Sequence, residues 1–144
     1  MSPTHADPDR AGQLHHLELS VPDLAAALPV WEWLLTDLGY DRKSDWEGGR
    51  SWIRDGTYVV LKTADAAGSV DRPTPGLDHV AFHAASRDQV DRLTEGVRDR
   101  AATNLLYEDR HPYAGGYYAL YFEDPAGITV EVVGPAETAA PDAT

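Results

Sequence analysis

Apolar and polar residues alternate in Leu14-His15-His16-Leu17-Glu18-Leu19-Ser20-Val21, where Leu17, Leu19 and Val21 interleave with His16, Glu18 and Ser20. This is the pattern of a strand with one apolar and one polar face. Leu77-Asp78-His79-Val80-Ala81-Phe82-His83 repeats it, with Val80 and Phe82 on the apolar face and His79 and His83 on the other. After each strand the period lengthens. Leu24, Leu28, Trp31, Leu35 and Leu38 recur at spacings of three and four, and Gly39 offers a stop, which predicts a helix that Pro29 weakens early. Ser86 and Gln89 form a capping box ahead of Val90, Leu93 and Val97, which predicts a short amphipathic helix.

Three short strands are expected after each helix: Tyr40 to Asp45, Ser51 to Arg54 and Thr57 to Lys62 in the first half, and Asn104 to Glu108, Tyr117 to Glu123 and Ile128 to Val133 in the second. Gly48-Gly49, Asp55-Gly56, Gly115-Gly116 and Asp124-Pro125-Ala126-Gly127 punctuate them. Both halves read β-α-β-β-β, giving modules of about residues 14–65 and 77–133 within one domain spanning 14–133. The expected fold is α+β, two βαβββ modules forming a curved mixed sheet, with helices on one side and a concave, metal-containing site on the other. Residues 1–13 and 134–144 lack periodicity and are expected to be flexible tails.

Glu131 is a carboxylate inside an apolar strand, so its burial calls for a cation, a proton or a hydrogen-bond partner. If equivalent strands of the two modules meet at the centre of the cup, His16, His79 and Glu131 converge. Two imidazoles and one carboxylate would hold one divalent metal ion with positions left open. Such a set suits Fe(II), the favoured ion, and also accepts Mn(II), Ni(II), Co(II) or Zn(II). His15 is the rival ligand, but its parity places it on the helix-covered face.

Composition narrows the partners. The 144 residues are 42% hydrophobic and 25% charged, the profile of one ordinary domain with a core. A formal net charge of -12 argues against nucleic acid and anionic membranes and leaves a small-molecule substrate. Without cysteine, thiolate catalysis and disulfides are excluded. The start of the chain lacks the basic flank and apolar run of a signal peptide, and no stretch approaches the roughly 20 apolar residues of a membrane span. A cytoplasmic location is expected.

Phe122-Glu123-Asp124-Pro125-Ala126-Gly127-Ile128-Thr129-Val130-Glu131 resembles the Asp-Pro-x-Gly turn and metal-ligating Glu of the vicinal oxygen chelate superfamily, which includes glyoxalase I, bleomycin- and fosfomycin-resistance proteins and extradiol dioxygenases. The stretch from His16 to Asp23 is similar to the family's opening ligand strand, and the likeness covers roughly Leu14 to Val133. It implies a metal at His16, His79 and Glu131 and a homodimer. Aligning the two halves puts Val60 where four-ligand members carry another Glu, which departs from glyoxalase I. The remaining set resembles extradiol dioxygenases, whose Tyr before the Asp-Pro turn corresponds to Tyr121 and whose upstream His lies near His111. On this resemblance Tyr121 and His111 are candidates for proton handling, and His83, which shares the strand face of His79, is a third.

Around them, Glu18 can stand in for the carboxylate absent at Val60, Arg54 can anchor an anion, and Trp46, Trp52 and Tyr58 can form an apolar wall. Tyr113 and Tyr117 flank the Gly115-Gly116 loop, which can close over a substrate. The leading expectation is an extradiol-type dioxygenase acting on a catecholic or other oxygenated aromatic substrate. The alternatives are a redox-neutral glyoxalase-like isomerase or lyase, or fosfomycin-type transferase or hydrolase, and a protein that sequesters an antibiotic without chemistry.

Overall fold

The computed structural model describes residues 8–64, 76–110 and 117–136. After a 3-10 turn at Pro8–Arg10, the first half runs β1 (His16–Val21), α1 (Leu24–Asp37), β2 (Asp41–Trp46), β3 (Gly49–Arg54) and β4 (Thr57–Thr63). The second runs β5 (Val80–His83), α2 (Arg87–Arg98), β6 (Asn104–Leu105), β7 (Ala119–Glu123) and β8 (Thr129–Val133). Each half makes a mixed four-stranded sheet, in the orders β1-β4-β3-β2 and β5-β8-β7-β6. The first and last strands of each half pair in parallel, and the others are antiparallel. The two βαβββ modules are therefore present.

The expected single curved sheet is not formed within one chain. Among the described residues no ladder joins the two sheets, and β1 and β5 are each an edge strand. The halves meet through their helices instead. Gly96 lies against Trp33 so closely that an added Cβ would stand 2.3 Å from the indole, so the absence of a side chain there permits the approach. Gln89 Nε2 donates to the Asp37 carbonyl and carboxylate at 2.8 and 2.9 Å, and Arg92 reaches the same carboxylate at 2.7 Å. Trp31, Leu34, Leu61, Leu93, Phe122 and Val130, drawn from both halves, lie in one fully buried core cluster.

Local chemistry explains the element ends. Asp23 accepts from the Ala26 N–H at 3.1 Å and Ser86 from the Gln89 N–H at 3.0 Å, so both helices start on a side-chain cap three residues upstream of the donor. Gln89 completes its box on the Ala85 N–H, at 2.7 Å, one residue before the cap. Pro29 does not end α1: the helix runs through it to Asp37, because its ring faces solvent and removes only one internal bond. The buried stripe of α1 is Ala27, Val30, Trp31, Leu34 and Leu35, broader than the expected Leu set and with Leu24 and Leu28 at its margin. Strand β6 stops at Leu105, short of the expected Glu108, because the Arg110 guanidinium takes the carbonyls of Tyr107 and Glu108, each at 2.7 Å.

Two edges of the domain are tied down. Arg10 donates to the Asp55 carbonyl, and the Gly134 N–H donates to the Tyr118 carbonyl at 2.8 Å. No helix among the described residues is long and apolar enough to cross a membrane.

Candidate metal centre

Strand alternation sends Val130 and Val132 of β8 into the core and Glu131 to the opposite face. That face is not open. Glu131 is 3% exposed, under Tyr121 on the neighbouring strand β7, which is itself 6% exposed and paired directly with it. Tyr117 OH donates to Glu131 Oε2, while Glu131 Oε1 lies 2.9 Å from His79 Nε2. Burial, followed by hydrogen bonds with Tyr117 and Glu131 and the glutamate's charge, pushes the Tyr121 phenol well above its ordinary value. Beside the ionised Glu131, the Tyr121 phenol therefore keeps its proton. Tyr107 closes the cluster edge-on, its ring centroid 5.3 Å from that of Tyr121.

The first half presents a looser counterpart. His16 Nε2 is 3.8 Å from Glu18 Oε2, and both side chains are well exposed, at 38% and 47%. Tyr58 stacks on the His16 ring with centroids 4.6 Å apart and planes nearly parallel, while Lys62 reaches Glu18 at 3.5 Å. The sheet registers make the two halves comparable. Val60 pairs with Glu18 and Ser51, and Glu131 pairs with Ala81 and Tyr121, so Val60 occupies the place of Glu131 and Glu18 that of Ala81. The carboxylate that the first half lacks on its inner strand is offered by the edge strand beside it.

The structure unites His79 with Glu131 and His16 with Glu18, but it does not unite the expected triad in one chain. Among the described residues no group of three His, Asp or Glu side chains is placed to hold a metal. The physical reason lies in the fold: His16 starts edge strand β1 and His79 immediately precedes edge strand β5, and among the described residues the two sheets do not pair.

Other expected residues are redistributed. His83 lies four residues along β5 from His79, roughly 13 Å at the rise of a strand, and borders a groove of about 270 Å³ together with Arg54, Tyr40 and Phe82 at the junction of the halves. Arg54 likewise belongs to that groove and not to the histidine cluster, with its Nη1 3.5 Å from the Gly39 carbonyl. Trp52 is fully buried and donates to Glu32 at 2.8 Å, so it is core and not a pocket wall. Trp46 is 47% exposed at the β2 end. His15 is exposed rather than helix-covered, because β1 begins only after it and its ring turns to His16, Nδ1 to Nδ1 at 3.0 Å. His111 and Tyr113 lie outside the described residues.

Sequence reasoning missed Tyr107 and Asp78. Asp78 Oδ2 accepts from His79 Nδ1 at 2.8 Å. A signal existed for Asp78: it stands before His79 as His15 stands before His16. For Tyr107 there was none, since it lies beyond the end of β6. The Asp-Pro turn has its own explanation. Asp124, 4% exposed, accepts from the N–H groups of Ala126 and Ile128 at 2.9 and 2.8 Å and from Trp31 Nε1 at 2.9 Å, and Gly127 takes the positive φ of 91° that the turn needs.

Comparison with known proteins settles the family. The sequence profile of the Glyoxalase/Bleomycin resistance protein/Dioxygenase superfamily matches residues 13–132. The chain belongs to this superfamily. It is 43% identical over 127 residues to the uncharacterized protein YqjT of Bacillus subtilis (strain 168), covering 85% of this chain and 98% of that one. It also matches the crystal structure of a Bacillus halodurans protein with a provisional glyoxalase designation, at 42% identity and a TM-score of 0.81 over 90% of this chain and all of the other. A fosfomycin resistance protein of Listeria monocytogenes shares the fold alone, at 19% identity and a TM-score of 0.61, over 87% of this chain and 92% of that one.

Proposed function

We propose that this chain is a redox-neutral, divalent-metal-dependent enzyme of the glyoxalase-like kind, whose site is completed by a second copy. His79 and Glu131 of one chain and His16 of the other would hold the ion. The donor set fits: a buried carboxylate with an imidazole nitrogen at 2.9 Å is a hard and borderline pair suited to Mn(II), Fe(II), Co(II), Ni(II) or Zn(II). A bound ion would supply Lewis acidity to a carbonyl, enediolate or epoxide oxygen of a small substrate. Support for a second copy comes from the free edges of β1 and β5, at whose entrances Leu14 and Leu77 are 66% and 48% exposed.

The observation that carries the redox-neutral reading is Glu18, held 3.8 Å from His16 Nε2 and in register with Val60. Proton abstraction next to a carbonyl needs a base, which Val60 cannot be. Glu18 is a carboxylate next to a candidate ligand. In this reading Glu18 takes the substrate proton, Tyr121 donates a hydrogen bond to the substrate oxygen, and Tyr117 steadies Glu131. The 42% identity to a protein provisionally designated a glyoxalase accords with it.

The buried, protonated Tyr121 beside Glu131 also suits the extradiol reading, in which Fe(II) binds a catechol and dioxygen. Two assays separate them. Metal-loaded protein in heavy water should exchange the α-hydrogen of α-hydroxycarbonyl compounds, and Glu18→Gln should abolish exchange while retaining metal. Oxygen uptake with a catechol panel by the Fe(II)-loaded protein, without any such exchange, would overturn the redox-neutral reading.

A further inference from the structure

The residue ahead of each candidate ligand histidine touches its Nδ1: Asp78 touches His79 at 2.8 Å, and His15 touches His16 at 3.0 Å. The two contacts occupy equivalent places in the repeat, since each lies one residue before its histidine and eight before the side chain that caps the following helix, Asp23 or Ser86. Their chemistry differs. An ionised carboxylate can only accept, so Asp78 holds a proton on His79 Nδ1, and on Nε2, 2.9 Å from the Glu131 carboxylate, a metal ion would take the place of the proton between the two groups. An imidazole can accept or donate. When His15 accepts, His16 Nε2 is a free donor atom. When His15 donates, His16 carries its proton on Nε2 and cannot ligate.

We infer that Asp78 and His15 are positioning residues of unequal strength, Asp78 making His79 a permanently prepared ligand and His15 leaving His16 a conditional one. The inference rests on the metal-site reading above and deepens it: the second half holds the ion, and His16 closes the site. A carboxylate on the far nitrogen of a ligand histidine both fixes the ring and strengthens its donation, and loss of such a partner weakens metal binding about 10- to 100-fold. The His15 ring supplies orientation without a carboxylate's charge.

The test is the affinity of the full-length, metal-free protein for Co(II), by competition with a chromophoric chelator and with the Co(II) absorption bands recorded. Asp78→Ala should weaken binding about 10- to 100-fold, and Asp78→Asn, which keeps an acceptor oxygen, should recover part of the loss. His15→Ala should cost less than Asp78→Ala, and His15→Asp should bind more tightly than the parent. Asp78 is 84% exposed, so thermal unfolding of the metal-free variants should match the parent and exclude misfolding. Unchanged affinity in Asp78→Ala beside lost affinity in His79→Ala would overturn this inference alone. Unchanged affinity in His79→Ala would overturn the ligand reading and the inference with it. A larger loss in His15→Ala than in Asp78→Ala would reverse the assigned order and overturn it as well.

Discussion

The two halves of the chain present the same pair of groups, an imidazole and a carboxylate, in opposite states. His79 and Glu131 are 2.9 Å apart with the carboxylate 4% exposed, whereas His16 and Glu18 are 3.8 Å apart and stand well out in solvent. The difference follows from strand order. Glu131 comes from inner strand β8, where β5 and β7 flank it and Tyr121 lies over it, while Glu18 comes from edge strand β1, with the inner position filled by Val60. A buried carboxylate tolerates no vacancy among its partners and is fixed in place. An exposed one can gain and lose a proton at little cost and move with its substrate. On the metal-site proposal, one module would hold and the other would react.

That contrast can be broken at its strong end first. Glu131→Ala should lower Co(II) affinity by more than the ~100-fold of an outer partner and abolish turnover, as read by chelator competition. Asp124→Ala leaves the Ala126 and Ile128 N–H groups and the Trp31 indole without their buried acceptor, and should cost about 3 kcal/mol or more in urea unfolding. The corresponding turn of the first half is exposed: Asp55, its side chain 84% accessible and φ +50°, should accept Asn within about 0.5 kcal/mol. Tyr121→Phe should reduce kcat about 100-fold while leaving metal affinity close to the parent's, because it removes a donor and not a ligand.

A modest effect is expected at the joint between the halves. Burial, the largest influence on Asp37, raises its pKa, but hydrogen bonds from Arg92 and Gln89 and the charge of Arg92 outweigh it and hold the carboxyl below its ordinary 3.8. A depressed folded value contributes stability above the unfolded pKa, and that contribution is lost as pH falls through the folded one. Arg92→Ala should therefore cost about 1 kcal/mol or less at pH 7, and the difference from the parent should shrink as pH falls below 3.8, read by denaturant titrations at a series of pH values.

The module order was legible in the sequence because alternation and helical periodicity are local, and because His16, Asp23, His79 and Ser86 recur in one frame. The burial of Glu131 and its tyrosine cover were legible for the same reason: parity along β7 and β8 places Tyr121 and Glu131 on one face. What parity cannot convey is how two sheets meet. The single-chain triad required β1 and β5 to face each other, and the core formed by Trp31, Trp33, Gly96 and Phe122 joins the halves through their helices instead. Arg54 and His83 instead border a groove between the two halves, with Tyr40 and Phe82. Trp52 followed its own burial and its bond to Glu32.

The most direct measurement is complementation between two inactive variants. His16→Ala and Glu131→Ala chains, each unable to bind Co(II) tightly alone, are mixed, unfolded and refolded together. If each site takes His16 from one chain and His79 with Glu131 from another, random pairing of a two-fold dimer restores roughly a quarter of the parental sites, with one intact site in each mixed dimer. If all three ligands came from one chain, mixing would restore none, and that result would contradict the shared site.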